Sequence, residues 1–196
     1  MKKALAILIV IILALIAGFA GGVYYSSNFS NHYSQKDIEE QVLEIAELAT
    51  LQCNYTEESD FEGDAKQVFG HDIPFTKKSM KMQYSGIVKM GPVLKDHMKV
   101  DLDSSGNTVN ITIPHSEILS HEIDENSIKI VYIKNGVFNS VTPADSNQLR
   151  KDAKKAKEKS IKKSDYFDQA DKNAIDQITT FLKTVYPDLD VTVKVR

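Results

Sequence analysis

Residues 100–113 read VDLDSSGNTVNITI. Val100 and Leu102 flank Asp101, and Val109, Ile111 and Ile113 alternate with Asn110 and Thr112. Asp103-Ser-Ser-Gly-Asn107 between them is a run of turn formers. Alternation of period two places apolar side chains on one face of a strand, and Gly and Asn accept the left-handed backbone of a tight reversal. The stretch predicts a hairpin, and with it an antiparallel sheet.

The same period recurs on both sides. Leu51, Cys53 and Tyr55 alternate with Gln52, Asn54 and Thr56, and Met80, Met82, Tyr84 and Gly86 alternate toward Val88. A loop is expected over 63–74, a strand from Ser127 to Ile133 turning at Asn135-Gly136, and a last strand over Val191–Val195. Elsewhere the period is helical. Ile38, Val42, Ile45, Ala46 and Ala49 predict one helix. Thr142-Pro-Ala-Asp145 predicts another, through a capping hydroxyl, a first-turn proline and a first-turn acid. Leu149, Ala153, Ala156 and Ser160 are its expected packing stripe, and Ser164-Asp165 its break. Phe167, Ala170, Ala174, Ile178, Phe181 and Val185 form the bulkier face of a third helix, stopped by Pro187. The fold class is therefore α+β, a mainly antiparallel sheet with long C-terminal helices.

The N-terminal residues have a different character. Residues 1–3 carry Lys2 and Lys3, and residues 4–25 (ALAILIVIILALIAGFAGGVYY) carry no charge. As a helix this run spans about 33 Å, enough for a hydrocarbon core of about 30 Å. The lysines precede it, so the positive-inside rule places 1–3 in the cytoplasm and the domain outside. A cleaved signal peptide is the competing reading, but the apolar run is long for one. Ala14, Gly18 and Gly22 repeat every fourth residue and offer a small-residue face for contact between transmembrane helices. The polar stretch 26–34 reads as a linker, leaving 35–196 as one extracytoplasmic domain. Expected localisation is the cell membrane, single-pass, with the bilayer as partner of 4–25.

Chemistry is sparse. Cys53 is the sole cysteine, which excludes an intrachain disulfide and multi-cysteine metal sites. The net charge of −3 gives no reason to expect nucleic acid. No Gly-x-Ser-x-Gly elbow or phosphate loop occurs, and no cofactor is expected. His115, Glu117 and His121 are the one constellation worth weighing, as a metal-dependent hydrolase. Their spacing misses the i, i+4 histidine pair that chelates on a helix. A strand end and turn, with His115 closing the row Val109, Ile111, Ile113, is the expectation preferred.

Charge is segregated. Residues 37–64 hold ten acids and no Lys or Arg, whereas 150–163 hold eight basic residues against Asp152 and Glu158. Arg150, Lys154, Lys155 and Lys157 are the candidates for electrostatic contact, with anionic lipid or with a neighbouring copy.

Glu47-Leu-Ala-Thr-Leu51, Ile113-Pro-His-Ser-Glu-Ile-Leu-Ser-His-Glu-Ile-Asp124, Gly136-Val-Phe-Asn139 and the Gln148-Leu-Arg helix together resemble a bacterial family catalogued as domain of unknown function 4230. The resemblance spans residues 38 to 195. It implies a membrane-anchored extracytoplasmic α+β domain and carries over no catalytic or cofactor residue. The expected function is a binding or assembly module at the cell envelope, through self-association or another envelope protein.

Overall fold

The computed structural model describes residues 33–196 apart from Glu47, Leu48 and Ser105. The anchor 4–25, with Ala14, Gly18 and Gly22, lies outside the described residues. Among the described residues no helix is long and apolar enough to cross a membrane. Residues 35–196 form one compact unit.

Helix α1 (Gln35–Glu44) leads into strand β1 (Leu51–Gly63). Short strands β2 (Gln67–Val68) and β3 (His71–Asp72) follow, then β4 (Lys78–Gly91), β5 (Lys99–Leu102), β6 (Thr108–Ile113), β7 (Glu117–Ile123) and β8 (Lys129–Lys134). Helices α2 (Pro143–Ile161) and α3 (Tyr166–Val185) and strand β9 (Asp190–Val195) complete the chain.

The expected hairpin is β5–β6, with Val100 opposite Ile111 and Leu102 opposite Val109. Its loop closes as the sequence suggests. Asp103 Oδ1 accepts from the amides of Asn107 and Thr108, and Gly106 takes a φ of 73°. Only glycine enters that region without a steric cost.

The fold is α+β and mainly antiparallel with C-terminal helices, as expected, and it differs from one continuous sheet in two ways. The described residues form three sheets, and β9 pairs with β6 in parallel, Thr108 opposite Asp190 through Ile113 opposite Val195. Parallel neighbours need a long crossover, and α2 and α3 lie within it. The main sheet is built on the fourteen-residue β4. One edge of β4 pairs with β1 along its whole length, Leu51 opposite Met90 through Gly63 opposite Lys78. The other edge is shared. β7 takes Gly86–Gly91 and β8 takes Ser79–Gln83, both antiparallel to β4. At the seam Ser85 is served by the turn between them, since its amide donates to Ser127 Oγ at 2.8 Å and its carbonyl accepts from the Asp124 amide at 3.0 Å.

Met80, Met82, Tyr84, Val88 and Met90 point from β4 into the core, joined by Cys53 and Tyr55 from β1. Leu149, Ala153 and Ile161 of α2 and Ala170 of α3 close it from above. α2 starts where the sequence places it. Thr142 Oγ1 accepts from the Asp145 amide while the Asp145 carboxylate accepts from the Thr142 amide, a closed capping box worth about 1 kcal/mol. Its packing stripe is shifted, because Ala156 and Ser160 are exposed and Lys157 is half-buried. The contact row runs Leu149, Ala153, Lys157, Ile161.

Asp145 also fastens the helix to the sheet. Lys78 Nζ at the start of β4 meets Asp145 Oδ2 at 2.5 Å. That bond first, and then those from Thr142, lower the Asp145 carboxyl to about 2. The folded value lies below the unfolded one, so this contribution to stability is present above the ordinary carboxylate range and is lost as pH falls toward about 2. The melting-temperature gap between wild type and Asp145→Asn is therefore expected to be largest near neutrality and to close between pH 4 and about 2. A gap of constant size across that range would show that Asp145 is not held as described.

Candidate functional site

Tyr55 on β1 stands opposite Gly86 on β4, and Gly86 stands opposite Ile123 on β7. A side chain at position 86 would block the space between the outer strands. A Cβ there would lie 2.4 Å from Tyr55 Oη and 2.7 Å from the Glu122 carbonyl oxygen. With glycine in place the Tyr55 ring crosses β4, and its hydroxyl meets His121 Nε2 at 2.7 Å. His121 Nδ1 meets Glu158 Oε1 of α2 at 3.0 Å. A carboxylate only accepts, so Nδ1 donates to Glu158 and Nε2 accepts from the Tyr55 hydroxyl.

Beside this chain Lys157 Nζ bonds Glu57 Oε1 at 2.6 Å and lies 4.5 Å from the centre of the Tyr55 ring. Tyr84 meets the Tyr55 ring edge-on at 6.0 Å. The Tyr–His–Glu order resembles a nucleophile–base–acid relay, but the surroundings oppose that use. The His121 side chain is only 2% exposed. Burial, and then the neighbouring Tyr84, Glu57, Cys53 and Glu158, push the Tyr55 phenol well above its ordinary range. A phenol so held keeps its proton and is a poor nucleophile. The network is a clamp that holds α2 on β1 and β7, with every buried polar atom of His121 paired.

The three residues weighed as a hydrolase centre are not brought together. His121 belongs to the clamp. His115 lies past the end of β6 with its side chain 73% exposed, and its Nδ1 meets Asp171 Oδ2 of α3 at 2.8 Å. The other Asp171 oxygen accepts from the Ser116 amide at 2.7 Å, so Asp171 fixes the step from β6 to β7. Glu117 opens β7, exposed and opposite Gly91. Residues 117–123 are thus a strand, with a bulge opposite Lys89 and Met90, rather than a turn. Among the described residues no group of three or more His, Cys, Asp or Glu side chains is arranged to hold a metal ion.

The four basic candidates divide. Arg150 pairs with Glu125 at 3.0 Å and Lys157 with Glu57, so both serve the domain itself. Lys155 is exposed and Lys154 half-buried, without an ion pair among the described residues.

The least ordinary surface lies elsewhere. Fourteen large hydrophobic side chains are exposed among the described residues, and ten of them fall in 68–75 and 130–138. Both segments belong to the end of the main sheet where β1 stops and β4 begins, the distal end. There Phe69, Phe75 and Phe138 are 97%, 88% and 95% exposed, with φ of 49°, 64° and 56°. A bulky residue in the left-handed region costs roughly 1–2 kcal/mol, so the backbone must be held there by other bonds. It is held by Thr76. Buried Thr76 Oγ1 accepts from the Lys66 amide and donates to the Ile73 carbonyl, and the Thr76 carbonyl accepts from Asn139 Nδ2 at 2.7 Å. The Val137 amide donates to the Phe75 carbonyl at 2.9 Å. A cleft of about 540 Å³ opens between the two loops, lined by Val68, Ile73, Pro74, Phe75, Val137 and Phe138. A second cleft, of about 570 Å³, lies near α1, and among the described residues its titratable lining is Lys89 and Lys95.

The family described as a protein of unknown function (DUF4230) matches residues 40–193, from within α1 into β9. The chain belongs to that family. No curated protein and no solved structure matches it. Membership of DUF4230 bears out the resemblance read from residues 38 to 195, and assigns no reaction. Sequence reading missed Tyr55 and the three phenylalanines as site residues of this DUF4230 chain. The available signal was aromatic residues inside turn-forming runs, Phe69-Gly70, Pro74-Phe75 and Gly136-Val-Phe138.

Tyr55→Phe leaves the buried His121 Nε2 without its donor and is expected to cost about 1–3 kcal/mol by urea unfolding. Adding His121→Leu should recover part of that loss, because the unpaired nitrogen goes with it and half-exposed Glu158 regains water. A Tyr55→Phe variant within about 0.5 kcal/mol of wild type would mean that the clamp is not closed.

Proposed function

We propose that this chain is a single-pass membrane protein whose outer domain is a binding or assembly module at the cell envelope, working through its distal end. The bilayer is the partner of residues 4–25, and the distal end meets another envelope protein or another copy of the chain. One observation carries the reading. Ten exposed large hydrophobics gather at this end, and three of them, Phe69, Phe75 and Phe138, sit at positive φ on loops whose bases buried Thr76 ties together. Exposed apolar patches of this kind mark contact surfaces in monomeric domains. Backbone strain retained by surrounding hydrogen bonds is typical of functional positions. The Tyr55–His121–Glu158 clamp supports the same reading, since it ties α2 to β1 and β7 and keeps the His121 imidazole buried.

Cysteine labelling tests both place and role, because the native Cys53 is buried and contributes little background. A membrane-impermeant maleimide applied to intact cells should label Lys95→Cys at an exposed loop, as an outer domain requires. Phe138→Cys should react at least about tenfold more slowly in those membranes than in the detergent-purified chain, the mark of a covered surface with a free-energy gap near 1.4 kcal/mol. Equal rates at Phe138→Cys in both states would remove the distal end as a contact surface. Labelling at position 95 only after lysis would remove the outer location.

A further inference from the structure

We infer that the distal end pairs one copy of the chain with the next, edge strand β8 of one molecule lying beside edge strand β1 of its neighbour in a continued sheet. The inference rests on the reading that this end is a contact surface, and it names the partner.

In the distal half the main sheet has three strands, β1–β4–β8. Among the described residues β8 and β1 each pair with β4 alone, so both outer edges present backbone groups that no described strand takes up. β8 reads KIVYIK, and Ile130, Val131, Tyr132 and Ile133 are 44–51% exposed. An edge of this kind, without Gly or Pro, is a template for a further strand. Soluble domains usually blunt such an edge, and here two lysines at its ends are the blunting groups.

Registers across β4 decide which edge those lysines fit. Gln83 faces Lys129 on one side and Glu58 on the other. Lys81 faces Tyr132 and Asp60. Ser79 faces Lys134 and Glu62. Lys129 and Glu58 therefore lie at one height of the sheet, and Lys134 and Glu62 at another, all on the face away from the helices. β1 and β8 both run antiparallel to β4 and hence parallel to each other. A second copy displaced sideways along the sheet brings its β1 beside this β8 in parallel, with Lys129 next to Glu58 and Lys134 next to Glu62. Lys129, Lys134 and Glu62 have no ion pair among the described residues, while Glu58 and Asp60 share Lys81. Two unpaired cations on one edge meet an acidic excess on the other.

A two-fold pairing fits less well. Antiparallel β8 against β8 puts Lys129 opposite Lys134, and β1 against β1 puts Glu58, Asp60 and Glu62 opposite one another. Like charges directly opposite destabilise a strand pair. The charge pattern thus selects a head-to-tail contact, which leaves a free edge at each end and propagates into a row or a closed ring rather than stopping at a dimer.

The test uses the full chain in its own membranes. Neighbouring strands stand about 4.8 Å apart, within the Cα range that a disulfide spans. Glu62→Cys and Lys134→Cys are made singly and together, and oxidation is followed by non-reducing electrophoresis. The double variant should give a ladder of dimer, trimer and higher species, and co-expressed single variants should give dimer only. Each single variant alone should give none. Lys134→Glu should abolish the ladder when cysteines are placed at positions 60 and 132, and adding Glu62→Lys should restore it. Lys134→Cys cross-linking to itself would overturn the head-to-tail contact. Absence of any cross-link with Phe138→Cys still shielded would overturn self-pairing and leave the contact-surface reading standing. Absence of both would overturn that reading as well.

Discussion

Strand β4 has fourteen residues and must satisfy three neighbours, and most of the molecule follows from how it does so. β1 is long enough to pair with all of it. The opposite edge is divided between β7 and β8, and the seam at Ser85 is closed by the Asp124–Ser127 turn rather than by a strand. The division separates two environments on one sheet. Toward Met90 the sheet is flanked by β7, and the helices roof one face along both halves, from Lys78, which meets Asp145, to Met90. Toward Lys78 it ends in β8, which is exposed along its whole length. Buried side chains run along one face of β4 from Met80 to Met90, and the exposed apolar surface gathers on β8 and the loops beyond Lys78.

Polar groups in the first region are arranged so that none is left over at its centre. Gly86 gives Tyr55 a path across β4, Tyr55 supplies the donor that His121 needs, and Glu158 takes the proton on the far nitrogen. A buried imidazole with one partner missing would cost more than the network contributes, so the three residues are best regarded as a unit. Lys157 extends the unit at its rim, its ammonium lying over the Tyr55 ring and bonded to Glu57.

What was legible in the sequence was local. The β5–β6 hairpin follows from Asp103 and Gly106, and the start of α2 from Thr142, Pro143 and Asp145, all within a few residues of one another. Partners distant in the chain were not legible. Val191–Val195 reads as a strand, but nothing in it specifies a parallel place beside β6, about eighty residues earlier. The stripe on α2 was displaced by one position because Lys157 packs where an apolar residue was sought. Its charge is neutralised by Glu57, a residue one hundred positions away. His115 and His121 are close in sequence but end on different partners, since β7 begins between them and carries His121 into the core. The phenylalanines of the distal end were passed over because turn chemistry around them reads as loop, and exposure is a property of the folded chain. The expectation for 63–74 was a loop, and the structure adds a two-residue hairpin that lifts Phe69 to its tip.

The distal end is where the fold leaves its largest apolar surface exposed. A protein that buries Tyr84 and Met80 almost completely while leaving Phe69, Phe75 and Phe138 in water has not run short of core. It has placed aromatic surface on a fixed backbone, next to two strand edges of equal height and opposite charge. Backbone amide exchange, compared between the full chain reconstituted in lipid bilayers and the same chain as detergent-solubilised monomer, tests this most directly. If the edges are covered in the membrane, amides in 129–134 and 57–63 will exchange markedly more slowly there, while those of the helix-roofed centre will not change. Identical exchange at both edges in the two states would contradict a distal end built for contact.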